Sequence, residues 1–383
     1  MRINVSRISN DAKAESKNNH KELDMFKKIV LSTVGIAILL IIISIIILIA
    51  LNSPIDPVAY SAPEKLAMTG VLEPNDLLQK AELLAKGKVN SPEEIAVDEK
   101  GRIYFGTPAG TISRLLPDGV IETFTTTGGR PLGMKFDQKG NLIVADANKG
   151  LLSVDPQGSI MILATSADGV PFKCTDALDV AKNGTIYFTD ASDKFSSKDY
   201  LFDMLEARPH GRFMRYDPAT GTVTVLLRGL NLANGVALSR DEDFVLVNET
   251  FKYSIHRYWL AGPKAGTSDM FIENLPGFPD NISSNGKGKF WLALFTVRND
   301  MLDVLHRYPR IKSLLSKLPV SLWSKTKQYG FVVALDERGN ITGTLQDPTG
   351  KHLYDVTSAQ EYAGYLYLGS FDADRIGKLK VGE

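Results

Sequence analysis

An all-β, six-bladed β-propeller is the fold this sequence predicts, and three observations carry the prediction. Apolar runs of four or five residues alternate with Gly-, Asp- and Asn-rich turns, which is the pattern of β-hairpins rather than helices. A strand–turn–strand unit of this kind recurs six times, beginning at Ile95, Met134, Leu178, Val236, Ile282 and Val356. The units are spaced by roughly 40 to 75 residues, the range of propeller blades once loop insertions are allowed. Several continue into a third strand, as at Thr111–Leu115, Phe213–Tyr216 and Ile255–Tyr258. Six such units imply blades radiating around a central channel.

The chain before the first unit is a different physical object. Residues 1–28 are polar, mixed in charge and without apolar periodicity, which predicts a mobile tail. Ile29 to Leu51 is an uncharged run of about 23 residues, long enough for a single transmembrane helix. Lys21, Lys27 and Lys28 precede it, and Asn52 to Ala62 carries only Asp56. The positive-inside rule therefore keeps the tail cytoplasmic and puts the propeller on the periplasmic or lumenal side. A cleaved signal peptide is the alternative, but its apolar region is shorter, and bulky Leu48 occupies the place where a small residue is needed. Pro54, Pro57 and Pro63 make residues 52–69 a stiff linker leading away from the membrane.

Asp76 to Leu84 carries Leu77, Leu78, Ala81, Leu83 and Leu84 at roughly helical spacing, which predicts a short helix. The propeller then occupies residues 70–383, with an insertion at 298–328 inside the fifth unit. That insertion holds Leu302, Leu305, Leu314, Leu315, Leu318 and Leu322 with basic residues interleaved, then Trp323. The spacing predicts an amphipathic helix over Met301–Leu318, broken at Pro309. Such a stripe most often just packs on the propeller mouth. The sharper alternative is a lid that lines the substrate entrance and leans on anionic lipid through Arg307, Arg310, Lys312 and Lys317.

Composition removes several function classes. The chain has 383 residues with 44 Lys+Arg against 44 Asp+Glu, so it shows no basic footprint for nucleic acid. Its one cysteine, Cys174, excludes an intrachain disulfide framework and reads as a small buried hydrophobe. Asn-x-Ser/Thr sequons such as those at Asn183 and Asn248 arise by chance as readily as by use.

The residues that open each inner strand converge beside a propeller's axis. Here they are Pro92-Glu93-Glu94, Arg130-Pro131-Leu132-Gly133, Thr175-Asp176-Ala177, Ala233-Asn234-Gly235 and Pro279-Asp280-Asn281. Four of these five turns supply a carboxylate or carboxamide oxygen, and none supplies a thiolate or imidazole. All-oxygen ligation suits a hard cation, calcium ahead of magnesium, because calcium accepts many ligands in loose geometry. Asn, Asp and Gly also simply make turns. Recurrence at equivalent positions is what favours the metal.

The Pro-Glu-Glu before Ile95, the Ala-Asn-Gly-Val-Ala-Leu-Ser of 233–239 and the Pro-Gly-Phe-Pro-Asp-Asn-Ile of 276–282 carry a family resemblance. So do Arg130-Pro-Leu-Gly, Tyr187-Phe-Thr-Asp, Arg257-Tyr-Trp-Leu and the closing Leu366-Tyr-Leu-Gly-Ser. Together they resemble the strictosidine-synthase-like branch of the gluconolactonase and paraoxonase superfamily, over about Gly70 to Val381. The resemblance implies one calcium in the channel, with ligands at Glu93, Asn234, Asp280 and Asn281. Asp176 falls at a further ligand position, and Glu94 replaces Glu93 if its turn is shifted by one. It also implies hydrolysis of a lactone or aryl ester, with water attacking a metal-polarised carbonyl. Paraoxonases place His residues around their second blade's first strand, where this chain has Pro131-Leu132-Gly133 and Asp146-Ala147. The expected base is therefore Asp146, or a ligand carboxylate with a free oxygen such as Asp280. Strictosidine synthases use a Glu in the last blade at a position near Thr357 here, with Glu361 only a neighbour, so an amine–aldehyde lyase is the third reading. The second is a non-catalytic propeller with structural calcium that binds a protein or glycan partner.

Overall fold

The computed structural model describes residues 5–323 and 325–382, and the six predicted units are six four-stranded antiparallel sheets. In blade 4 the strands run outward in sequence order: Ala233–Leu238, Phe244–Glu249, Ser254–Trp259 and Ser268–Ile272. The two inner strands of this blade are buried throughout, whereas an outermost strand such as Ile160–Ala164 in blade 2 is largely exposed. Inner strands read as continuous apolar runs for that reason. The polar turns owe their recurrence to one hydrogen-bond device. In Asp137–Asn141 the carboxylate Oδ1 accepts the backbone N–H groups of Lys139 and Asn141 at 2.8 Å each, and Gly140 between them takes a positive φ of 80°. Asp336, Gly339 and Asn340 repeat it in blade 5.

The ring is closed by a strand that the helical spacing concealed. Leu77–Lys80 is a single 3-10 turn, and Glu82–Leu84 is a strand, not the end of a helix. It pairs antiparallel with Ile376–Lys380 and becomes the outer strand of blade 6, whose other strands are Val356–Tyr362 and Tyr365–Ser370. Leu78 and Ala81 are buried in the blade 5–blade 6 core with Val332 and Leu368, so tertiary packing explains their apolar character without a helix. Joining the two chain ends in one sheet leaves no open seam between first and last blades.

Helix α1 (Val5–Ala50) runs through both the expected tail and the expected anchor. The tail reading is corrected to helix from Val5 onward. Among the described residues no helix is long and apolar enough to cross a membrane, although Ile29, Leu31, Ile36, Leu39, Ile46 and Leu51 leave their side chains exposed.

The linker reading is also corrected. Residues 52–63 do not project as a spacer but lie as a strap across the propeller, held by α2 (Tyr200–Glu206), α3 (Asp300–Leu305) and α4 (Pro309–Leu315). Proline-rich backbone makes no hydrogen bonds with itself, so its polar groups find partners elsewhere. Glu206 accepts from the Asp56 and Val58 N–H groups, the latter through its backbone oxygen at 3.0 Å. The buried Lys312 donates to the Val58 carbonyl at 2.6 Å, Tyr60 N–H to the His306 carbonyl at 2.9 Å, and Arg298 to the Pro63 carbonyl at 2.6 Å. Ile55 fills an apolar pocket with Phe195, Leu205, Leu305, Leu315 and Trp323. The insertion is thus two short helices, separated before Pro309.

Register fixes which face carries this cap. Gly277, at the start of blade 5's inner strand, pairs with Val297, the last residue of the strand that leads on to α3. Thr175 in blade 3 likewise pairs with Asp190, whose strand leads on to α2. Both helical insertions therefore rise from the face where the inner strands begin.

Candidate functional site

Every blade but the first has a register shift at the start of its inner strand: Pro131/Gly133, Thr175/Leu178, Ala233/Val236, Gly277/Pro279/Ile282 and Val356/Ser358. A bulge frees a residue from the ladder and re-aims its side chain. The freed stretches contain Asp176, Asn234, Asp280 and Asn281, so the bulges are what turn ordinary strand residues into axial donors. Neighbouring strands come too close for any side chain on their partners. A Cβ on Gly235 would stand 2.5 Å from the Asp280 carbonyl oxygen, and one on Gly133 2.5 Å from that of Asp176.

A second layer fixes the backbone of these donors across the blade boundaries. The buried Thr189 hydroxyl of blade 3 donates to the Asn234 carbonyl of blade 4 at 3.0 Å. The Asn248 side-chain amide of blade 4 donates to the Asp280 carbonyl of blade 5, and Thr250 to that of Pro279 at 2.7 Å. Thr357 and Ser358 of blade 6 donate to the Glu93 carbonyl at 2.7 and 2.8 Å. Glu93, Asn234 and Asp280 are thus each held by the preceding blade, so ring closure and site geometry are linked.

The expected residues Glu93, Asp176, Asn234, Asp280 and Asn281 are all buried, and the structure brings them into one electrostatic neighbourhood. Burial first, then the charges of Glu93 and Asp176, drives the Asp280 carboxyl well above the usual carboxylate range. Asp176 is raised in the same way, by burial and then by Glu93 and Asp190. Burial raises Glu93, opposed by Arg130, whose guanidinium donates to Glu93 Oε2 at 2.8 Å. Glu94 is pushed up to about 8, mainly by burial, against the pull of Lys135. Asp176 Oδ1 and Asn234 Oδ1 are buried and have no hydrogen-bond partner among the described residues. Also among the described residues, no three His, Cys, Asp or Glu side chains converge tightly enough to grip a metal. Repelling carboxylates are expected to stand apart, and two of the five donors are amides. The chemistry of the buried, partnerless oxygens and the mutually repelling carboxylates suits a hard cation.

Asp146 lies elsewhere in this scheme. It is fully buried, and its Oδ1 accepts from the Arg130, Asn148 and Lys149 N–H groups at 2.8, 3.0 and 3.0 Å, while Oδ2 has no partner. Asp190 repeats that backbone clip in blade 3, accepting from Lys173 and Cys174 N–H. Asp146 thus holds the turn that presents Arg130. Cys174 is buried, and burial beside Asp176 and Asp190 drives its thiol up, as befits a packing residue.

Sequence reasoning missed the mouth. Tyr200 of α2 feels Asp372, Glu93, Asp355 and Asp280, and burial before these charges pushes its hydroxyl up to about 12. Its ring meets Phe371 edge-on at 5.9 Å, Phe295 meets the same ring at 5.9 Å, and the Arg130 guanidinium lies 6.0 Å from it. Asp355, buried and with Oδ1 unpartnered, is raised to about 7 by burial and then by Asp372. It immediately precedes Val356 and its carbonyl accepts the Phe371 N–H, as those of Arg130 and Cys174 accept from Ala147 and Ala191, so it sits one position ahead of the freed residue, which in blade 6 is Thr357. The four described histidine rings outside the tail are absorbed elsewhere. His210 and His256 pair with Glu206 and Glu249, His352 meets the Ala81 carbonyl, and His306 sits under the strap.

Comparison with known proteins agrees with this architecture. The sequence profile of strictosidine synthase matches residues 176–263, and that of the strictosidine synthase-like N-terminal region matches residues 70–115. The chain is 39% identical over 355 residues to adipocyte plasma membrane-associated protein of Rattus norvegicus, covering 86% of this chain and 94% of that one. It is 36% identical to strictosidine synthase-like protein 6 of Arabidopsis thaliana, covering 85% and 89%. Among solved structures, a gluconolactonase from Xanthomonas campestris superposes with a TM-score of 0.59 at 16% identity, covering 87% and 98% of the two chains. Regucalcin from Agrobacterium tumefaciens, described as a calcium-binding protein, gives 0.56 at 14% identity, covering 78% and 93%. Those two likenesses speak for the fold.

Proposed function

For this chain, which belongs to the strictosidine synthase-like family of six-bladed propellers, we propose a membrane-anchored, calcium-dependent hydrolase of lactones or esters. The observation that carries the reading is the pair of buried, partnerless oxygens, Asp176 Oδ1 and Asn234 Oδ1, set among three like-charged carboxylates. Glu93, Asp176, Asn234, Asp280 and Asn281 would hold the ion, in a donor set of three carboxylates and two amides with room for water and substrate. When bound, calcium supplies a Lewis acid for a substrate carbonyl oxygen. The chain's own residues do the rest. Arg130, anchored on Glu93, presents an otherwise unpartnered Nη1 to a polar substrate group. Tyr200, Phe295 and Phe371 give the mouth an apolar rim that keeps bulk water from the carbonyl. Asp355 Oδ1, with a proton affinity near neutrality, takes the proton from the attacking water, the task first assigned to Asp146.

The anchor reading rests on the uncharged run 29–51 within α1, preceded by Lys21, Lys27 and Lys28. A run of this length spans about 35 Å as helix, and the propeller lies on the extracytoplasmic side. The name of the adipocyte relatives supports membrane association.

A lyase of the strictosidine synthase type is disfavoured because the Thr357 hydroxyl serves the Glu93 backbone. A non-catalytic propeller with structural calcium is favoured by one observation, the diversion of every described imidazole outside the tail into structural contacts. Hydrolysis of a panel of lactones and aryl esters by the full chain in nanodiscs, with calcium and with EDTA, separates the two. The hydrolase reading requires turnover that needs calcium and vanishes in Asp280→Ala. Calcium-dependent melting without turnover of any member supports the binding module instead.

A further inference from the structure

The outer face of the cap is apolar, basic and uncovered. Met301, Val304, Ile311, Leu314, Val320 and Leu322 are all exposed, the last at 70%. Arg307, Arg310, Lys325 and Lys327 are exposed around them. From Val304 to Leu335 the sequence contains no Asp or Glu. Inner residues of the same helices point the other way. Leu302, Leu305 and Leu315 pack with Ile55 and Phe202, and Lys312 is buried under the strap. The two faces of α3 and α4 are therefore both occupied by apolar side chains, and only one has a protein partner.

The contact with α1 says what covers the other. Lys317, just past α4, donates to the carbonyl oxygens of Leu48 at 3.0 Å and Ile49 at 3.3 Å. Ser316 also meets Ser53 across 3.3 Å. Leu48 and Ile49 lie inside the uncharged run, within one turn of its end. If that run spans a bilayer, Lys317 stands at the boundary between acyl chains and headgroups, where a lysine head reaches for phosphate while its stem stays in apolar surroundings. A segment fixed to that point is held at the same depth.

We propose that α3, α4 and the turn Val320–Leu322 form a foot that rests on an anionic bilayer surface, turning the channel mouth toward the membrane that α1 crosses. The inference rests on the anchor reading above and adds an orientation to it. The cap rises from the face where the inner strands begin, so the rim of Tyr200, Phe295 and Phe371 opens on the side of the lipid. Exposed Ile311 and Leu322 enter the interface by about 5–10 Å, while the basic residues meet acidic headgroups.

The test uses the full chain in vesicles of phosphatidylcholine with and without phosphatidylglycerol, carrying a fluorophore at one introduced cysteine, with the buried Cys174 left in place. Ile311→Cys and Leu322→Cys report the foot, Ile38→Cys reports the anchor, and Lys100→Cys, in a turn on the opposite face, is the control. Quenching by lipids spin-labelled near the headgroup is expected to be about twofold or more above the control at Ile311 and Leu322, and stronger with phosphatidylglycerol. Lipids labelled deep in the acyl chain should quench Ile38. Quenching at Ile38 but only control levels at Ile311 and Leu322 overturns the foot and leaves the anchor standing. Control levels at all three overturn the anchor and the foot together. Protection of Ile311 and Leu322 that scales with protein density rather than with lipid label would mean a second copy covers the face, and the inference fails.

Discussion

Asp355 shows most directly how a single side chain acquires a chemical role here. Its carboxyl is buried, faces the negative charge of Asp372, and is held near 7 instead of the usual 3.8. It is therefore half-deprotonated in the pH range where a base is useful, and a cation bound nearby would bring it down from there. Hydrolysis is expected to rise with pH through a limb at or below about 7, and Asp355→Asn should abolish that limb and cut kcat by about 10²–10⁴-fold. An unchanged pH profile in the variant would return the base to the ligand carboxylates. The proposed ligands could be singled out from sequence because oxygen-bearing turns recur. Tyr200 and the pairing of Arg130 with Glu93 could not, because both depend on contacts between blades. Asp146 was drawn to the site by its place beside a blade opening, yet its Oδ1 is taken up by three backbone N–H groups.

Elements act in this molecule by holding their neighbours. Thr189 sits in blade 3 but positions the Asn234 backbone of blade 4. Thr189→Val keeps its shape and leaves that carbonyl unsatisfied, at about 1–3 kcal/mol of stability. Calcium affinity should fall by about 10–100-fold, as loss of an outer partner typically gives, and titration calorimetry would measure it. The cap has a pH dependence of its own. His306 is buried beneath the strap, and burial, then Lys312 and Lys252, lowers its imidazole from 6.5 to about 3. Between those values the unfolded chain binds a proton that the folded chain refuses, so this group makes stability fall as pH falls. At pH 5 the cost is about 2 kcal/mol. The Tm of His306→Phe should therefore gain on that of the wild type between pH 7 and pH 5, and a constant difference would contradict the argument. Blades were legible at this scale because short apolar runs bounded by Asp–Gly turns are local signals. The closing strand Glu82–Leu84 was not, since only its distant partner Ile376–Lys380 makes it a strand. The strap was misread for a similar reason: proline content reports stiffness, and says nothing of what the stiff segment lies against.

For the whole molecule, a sheet ring, its donors and its cap are parts of one construction. The strand openings of blades 1, 3, 4 and 5 carry the oxygen donors, bonds from the preceding blade hold Glu93, Asn234 and Asp280, and the helices on that face carry both the rim and the junction with α1. The proposed hard cation would balance the charges of this arrangement. The most direct measurement is thermal melting of the full chain in nanodiscs, wild type and Asp280→Asn, in calcium and in EDTA. The substitution keeps the side chain's shape and removes one of the mutually repelling charges. In EDTA the variant is expected to melt at or above the wild type. In calcium at about a hundredfold over Kd, the wild type should gain roughly 2.7 kcal/mol, a rise of several degrees, and the variant little. A wild-type Tm indifferent to calcium, together with a variant that melts lower in EDTA, would mean that the channel carboxylates stabilise the fold without a cation, and the account of the site would be wrong.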